Sequence, residues 1–383
     1  MFILPQSLLF RNLQKEFHRV EKKIRDSNFE LLRLFLILFV IILHYNGEVC
    51  NVLELTQNAS FGIKYFIRIG EALCVCAVNV FLLISGYFLC EKETVNIRKI
   101  INLFVVLIVF SFAAYFFRLI FHIDEFKIKA LIGCLLPSNY YAYLYSAVFI
   151  LSPFLNLITR LEKKRFNLFL LIILILFSII PTALDFLSGI NPSISSSGRS
   201  FISGDGNNNG YTLINFILLY YVGSFIKKNE IKIQSIKSIL AYIASTFIIL
   251  IGMKINPLHK FDYCNIFVIC QAFFFFMLFT NISIKSQIIN FMAKSVWGMF
   301  IIHFSVMKCI CKFIDIENVC SSDSYKVFIV TFLVIILSFI ISMIIDIILR
   351  LLIKPVNYLI DKIKYLNISI TTKEETDDIK SSV

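Results

Sequence analysis

Charge and glycine are scarce in this chain of 383 residues. Asp, Glu, Lys and Arg make up 16% of it, glycine occurs 13 times and tryptophan once. A soluble domain carries about 25% charged residues. With 58% hydrophobic residues and a mean hydropathy of +0.82, the chain has too little polar surface to cover a soluble globule, which excludes the soluble classes. A bilayer removes that limit, because lipid tails accept apolar side chains. Other signals are missing too. No fixed-period repeat is visible, and no polar stretch is long enough for a separate soluble domain. The segment 1–25 puts a short apolar run ahead of basic residues, the reverse of a cleaved secretory signal. It predicts a cytoplasmic, surface-lying amphipathic segment. The ten cysteines include Cys74-x-Cys76 and Cys309-x-Cys311, without the two-residue spacer of common zinc or redox motifs. They read as buried thiols, and no metal is expected.

What is present is a series of apolar runs. Spanning helices of about 20 residues are predicted near 30–46, 72–90, 100–121, 140–159, 166–184, 211–227, 236–253, 263–283, 290–308 and 327–350. The fold class is therefore an all-α integral membrane protein, a polytopic bundle of about ten transmembrane helices. Pro153 and Pro181 are candidate break points in the fourth and fifth spans. Net charge is +12, but the basic residues flank the spans, so they report topology and anionic lipid rather than nucleic acid. With the N-terminus inside, 25 Lys and Arg fall on the cytoplasmic side and 10 on the other. The positive-inside rule then puts both termini in the cytoplasm. Three parts follow: a basic N-terminal segment 1–28, a transmembrane domain 29–352 and a polar cytoplasmic tail 353–383. The loop 185–210 holds Asp205-x-Asn207-x-Asn209-Gly210, the first half of a calcium loop. Phe216 stands where such a loop needs its bidentate Glu, so the segment reads as a polar loop.

The first span holds the most informative residues. Arg33 and His44 are eleven residues apart, three turns plus roughly 20°, so they share one helix face about 16 Å apart along the axis. Glu30 lies one turn before Arg33. Charge inside a span costs at least about 2.5–3.5 kcal/mol and usually faces a bundle interior or wet cavity. Taken singly, Arg33 can be a snorkelling anchor and His44 a headgroup-level histidine. Taken together they suit acyl transfer. Neutral imidazole can take a proton from an attacking hydroxyl, and guanidinium can hold a phosphate or carboxylate bidentately.

On these residues the chain resembles acyltransferase family 3, the membrane proteins that O-acylate bacterial polysaccharides, lipopolysaccharide and peptidoglycan. Arg33, ten residues, then His44 matches the family's opening signature. Phe81-Leu-Leu-Ile84-Ser85-Gly86-Tyr87 is similar to its Ile-Ser-Gly-aromatic motif, the pair Arg98-Lys99 opens the third span as in the family, and Ser152-Pro153-Phe154-Leu155-Asn156 is similar to its fourth span. Trp297-Gly-Met-Phe300-Ile-Ile302-His303 is similar to its aromatic-Leu-Ile-His segment. The chain departs from the family at Tyr141-Ala142-Tyr143-Leu144, where Leu-Trp-Phe is common, and at Phe300, where Tyr is common. These departures bear on substrate identity more than on reaction class.

The resemblance implies a multi-pass protein of the bacterial cytoplasmic membrane that uses acetyl-CoA as donor. It implies a glycan or lipid-linked saccharide as acceptor, with polysaccharide-assembly proteins as partners. It further implies that His44 is catalytic and that Arg33 helps hold the donor or the active geometry. Arg98, Lys99 and Ser85 are candidate donor contacts, and Glu30, Tyr87 and His303 are candidate site support. The residues leave plainer readings open: Ser85-Gly86 as a close-packing point, Arg98 as a topology anchor, His303 as a structural hydrogen-bonder and Arg118 as a snorkelling residue. The run Tyr140-Tyr141-Ala-Tyr143-Leu-Tyr145 reads as an interfacial belt or as a surface for sugar rings. A transporter or flippase of a lipid-linked sugar is the alternative function. It would call for paired broken helices near the midplane.

Overall fold

The computed structural model describes residues 26–191, 193–194, 211–255, 262–322, 324–362 and 367–369. The amphipathic N-terminal segment, the Asp205–Gly210 motif and the polar tail from Thr371 lie outside them. The described residues are almost wholly helical: α1 Asn28–His44, α2 Phe61–Cys74, α3 Ala77–Leu89, α4 Arg98–Ile120, α5 Tyr140–Thr159, α6 Lys163–Leu174, α7 Ile180–Ile190, α8 Leu213–Lys228, α9 Ser235–Ile255, α10 Ile266–Thr280, α11 Val296–Cys311 and α12 Lys326–Asp361, with shorter turns between. Each predicted span falls on helical residues, the second on parts of α2 and α3 and the fifth on α6 and α7. Among the described residues eight helical segments are long and apolar enough to cross a bilayer, with α2–α3 and α6–α7 each counted as one. The α8 and α10 helices have 16 and 15 residues, which at about 1.5 Å per residue falls short of a hydrocarbon core of about 30 Å. The chain is an all-α polytopic membrane protein.

Burial separates an inner set of helices from an outer one. In α2–α3, 72% of the apolar window is buried, against 22% in α6–α7. Apolar side chains all round a helix suit either a protein interior or lipid, so neighbours decide which. Small residues bring α3 and α8 together. A Cβ on Gly86 would drive into the Tyr220 carbonyl, and one on Gly223 into the Leu83 carbonyl. Ser224 Oγ donates to the carbonyls of Tyr220 and Gly86, at 2.9 and 3.4 Å. The close-packing reading of Gly86 therefore stands.

The two prolines behave differently. Pro153 lies within continuous α5. Its ring frees the carbonyl four residues back, and Ser152 Oγ donates to that Phe149 carbonyl at 2.8 Å. Pro181 follows a π turn, Ile175–Ile179, which divides α6 from α7. Ser178 in that turn donates to the Cys264 carbonyl at 2.7 Å.

The α1 helix runs through the centre and presents two faces. Phe29 and Phe39 meet Phe276 and Phe275 of α10, at ring distances of 5.5 and 5.2 Å. The other face turns toward α11. At the start of α1, Asn28 Nδ2 donates to the Phe279 carbonyl at 3.1 Å. Beyond α12, Asn367–Ser369 pairs antiparallel with Thr94–Asn96, the loop ahead of α4. The last span, expected to close at 350, runs on to Asp361 because apolar residues continue through Leu351, Leu352 and Ile353.

Candidate active site

Two cavities open on the α11-facing side of α1, one at each end. The first, about 340 Å³, is lined by Glu30, Arg33, Ser85, Tyr145, Lys294 and Trp297 among others. Arg33 Nη1 sits 2.8 Å from Glu30 Oε2. The i,i+3 spacing seen in the sequence makes this pair, since residues three apart are neighbours on a helix surface. Ser85 Oγ donates to the Phe81 carbonyl at 3.1 Å, as a hydroxyl in an apolar helix often does. Tyr141 and Tyr145 stack with 13° between their planes, and Trp297 stacks on Phe300 in the same way. This end therefore combines a guanidinium and an ammonium with rings, a setting for an anionic molecule with an apolar part.

The second cavity, about 190 Å³, holds His44 with Glu48, Glu71, Tyr140, Tyr211 and Tyr263. Phe300 lines both cavities. His44 closes the α-helical part of α1, and Tyr45–Val49 continues as a π turn, a feature frequent at functional sites. The turn brings Glu48 Oε2 to 3.3 Å from His44 Nδ1. Tyr45 OH meets Thr331 Oγ1 at 3.2 Å, and the sulfurs of Cys50 and Cys311 lie 2.7 Å apart, so the turn is held to α12 and to the end of α11. The neighbouring Cys311 sulfur and burial hold the Cys50 thiol well above its ordinary range.

The His303 ring stands 5.0 Å from that of His44, edge to face. Its Nδ1 lies 2.9 Å from the Met299 carbonyl, which only accepts, so Nδ1 donates and in the neutral ring Nε2 carries the lone pair. His303 is 2% exposed, and its Nε2 has no hydrogen-bond partner among the described residues. Such a nitrogen is costly unless water or a ligand reaches it.

The structure thus brings Arg33, Glu30 and Ser85 to one cavity and sets His44 at the other with His303 against it. Arg98, Lys99 and Tyr87 line neither. The backbone N–H of Arg98 donates to Asn96 Oδ1 at 2.9 Å, and Lys99 Nζ lies 5.9 Å from the Phe149 ring centre. Tyr87 belongs to a ring cluster with Phe29 and Phe276. Arg118 reaches Asp124 and Ser305, at 2.7 and 2.6 Å, so its head is bound as well as placed near the helix end. The tyrosine run divides: Tyr141 and Tyr145 line the first cavity, Tyr140 the second, and Tyr143 is exposed.

Sequence reasoning missed Glu48, Glu71, Tyr211 and Tyr263. Glu48 carried a signal, four residues after His44. Glu71 sits in a segment that read as an outer loop but forms the last turn of α2, 8% exposed, where Asn46 Nδ2 donates to it at 3.0 Å. Among the described residues no group of three or more His, Cys, Asp or Glu is set to hold a metal.

Searches against curated proteins and against solved structures give no match. Residues 26–347 match the sequence profile of acyltransferase family 3, described as an acyltransferase domain. That match spans most of the chain and every residue just placed in the two cavities, so the chain belongs to acyltransferase family 3 and is a membrane acyltransferase.

Proposed function

We propose that the protein is an O-acyltransferase of the bacterial cytoplasmic membrane, moving acetyl from acetyl-CoA to a hydroxyl of a cell-surface glycan or lipid-linked sugar. The observation that carries this reading is the pair of cavities along one face of α1, basic at Arg33 and His-bearing at the other end, with Phe300 common to both. In this reading both termini are cytoplasmic, so Arg33 faces the donor's side and His44 the opposite one.

The donor end fits the residues present. Arg33 has a planar fork of donors that can keep Glu30 and hold an anion, and Lys294 adds a second cation. A cavity of about 340 Å³ with ring walls suits the acylated arm of the donor, leaving its nucleotide end to the basic surface that includes Arg98 and Lys99. At the acceptor end, Glu48 beside Nδ1 favours the tautomer with its proton there, which leaves Nε2 of His44 as the base. His44 takes the hydroxyl proton as the oxygen attacks the thioester carbonyl. A tetrahedral adduct forms, the carbon–sulfur bond breaks, and the thiolate leaves and is protonated.

A deletion strain complemented with wild-type protein should regain one acyl mass on its surface glycan. The same strain carrying His44→Ala should not, at equal protein level in the membrane. Recovery of the acyl mass by His44→Ala would sink the mechanism. Loss of polymer export with an unaltered repeat unit would point to transport instead.

A further inference from the structure

The Cys309-x-Cys311 pair at the end of α11 has no part in the mechanism, and the structure separates its two sulfurs. Cys309 is buried, whereas Cys311 is half-buried and meets the Cys50 sulfur, 2.7 Å away. A thiol is a weak donor and a weak acceptor, so two thiols gain little as a hydrogen-bonded pair. Apposed thiols are instead placed for oxidation to a disulfide. The two residues are 261 positions apart, and each element is anchored without its sulfur. Tyr45, in the π turn that ends one residue before Cys50, reaches Thr331 of α12. The Asn51 N–H donates to the Gly47 carbonyl at 3.0 Å and closes that turn. Lys312, next to Cys311, donates to the carbonyls of Phe121 and His122 at 2.7 and 3.0 Å. The sulfurs meet because the backbone around each is already held.

We propose that Cys50 and Cys311 form a disulfide, by exchange with a protein or small-molecule disulfide, which joins the turn after His44 to the end of α11. The more accessible Cys311, as thiolate, attacks one sulfur of the oxidant, forms a mixed disulfide and releases one thiolate. Cys50 then loses its proton, attacks the Cys311 sulfur and expels the second thiolate. Two protein thiols become one disulfide, and one oxidant disulfide becomes two thiols, which take up the two protons. With both termini in the cytoplasm, the pair lies at the outer end of the bundle, where disulfides persist. Cys50 stands six residues after His44 and Cys311 eight after His303, so the bond ties together the two elements that carry the facing imidazoles. Because the sulfurs already meet, the bond constrains the unfolded chain more than it moves the rings. The bond does not depend on the transferase reading; its value to the His44–His303 pair does.

The test is thiol mapping on the full chain in lipid nanodiscs. Protein treated with oxidised glutathione is quenched in acid, alkylated with N-ethylmaleimide before or after reduction, digested and read by mass spectrometry. Peptides joined through Cys50 and Cys311 are expected, and both residues should take the label only after reduction. Reduction should lower the melting temperature by at least about 3 °C. Cys50→Ser and Cys311→Ser should each abolish that shift, and Cys309→Ser should keep it. If Cys50→Ser does not fold, Cys311→Ser at the helix end carries the same arm. Full labelling of both cysteines without reduction overturns the proposal. So does a bond from Cys50 to Cys309 or Cys320 instead, or a melting temperature that reduction leaves unmoved. A Cys50–Cys311 bond in a protein that never consumes labelled acetyl-CoA would sink the transferase reading and leave this one standing.

Discussion

At one end of α1 an arginine faces a cavity of about 340 Å³ shared with a lysine, a serine and stacked rings; eleven residues on, a histidine faces one of about 190 Å³ shared with two acids and three tyrosines. The helix face is the same, so the contrast comes from the neighbours. Near Arg33 the walls come from α3, α5 and the entry to α11. Near His44 they come from the end of α2, the starts of α5 and α8, and the π turn. A single helical stripe can thus border two cavities of different composition when different helices close around its two ends. The ionic contacts follow the same division. Glu30 sits against Arg33 in a half-buried pair, whereas Glu48 is 71% exposed beside His44 and is screened by solvent.

The comparison breaks most visibly at His44. In purified protein, His44→Ala should lower acetyl transfer by about 10²–10⁴-fold, the usual contribution of a positioned base, and leave acetyl-CoA affinity close to wild type by calorimetry. Loss of donor affinity as large as the loss of rate would merge the two ends into one site. A smaller effect is expected at Arg33. Arg33→Lys keeps the charge and removes the fork, so the KM for acetyl-CoA should rise about tenfold or more, with kcat less affected; a charged hydrogen bond contributes about 1.5–3 kcal/mol. An unchanged KM with reduced kcat would move Arg33 from donor binding to the reaction itself. Glu48→Gln should have the smallest effect, about tenfold or less on transfer, because solvent already weakens the contact. Raised salt should mimic part of it. A loss as great as that of His44→Ala would make Glu48 essential to the base.

Several of these features were legible before any coordinates. Apolar length found the helices, and the eleven-residue spacing put Arg33 and His44 on one face, because both depend only on local helix geometry. The i,i+3 contact of Glu30 with Arg33 is local in the same way. Other features were not. The proximity of His303 to His44 joins residues 259 positions apart. Glu71 was hidden because α2 begins within a segment too polar to read as a span. Arg98 and Lys99 line neither cavity; they follow directly on residues 94–96, which pair with the distant strand 367–369.

The sequence by itself determined that this is a helical membrane protein and that its first helix carries a cation and an imidazole on one side. Hydropathy and the 3.6-residue turn act within one segment and need no partner. Only the tertiary structure decided that the stripe opens into two cavities of different charge. It also decided that Phe300 borders both, and that Glu71 and three tyrosines join His44. Those residues come from helix ends far apart in the sequence that converge on His44, in a bundle where α3 and α8 approach closely at Gly86 and Gly223. Packing between distant segments is a property of the whole bundle and leaves no mark in any one of them.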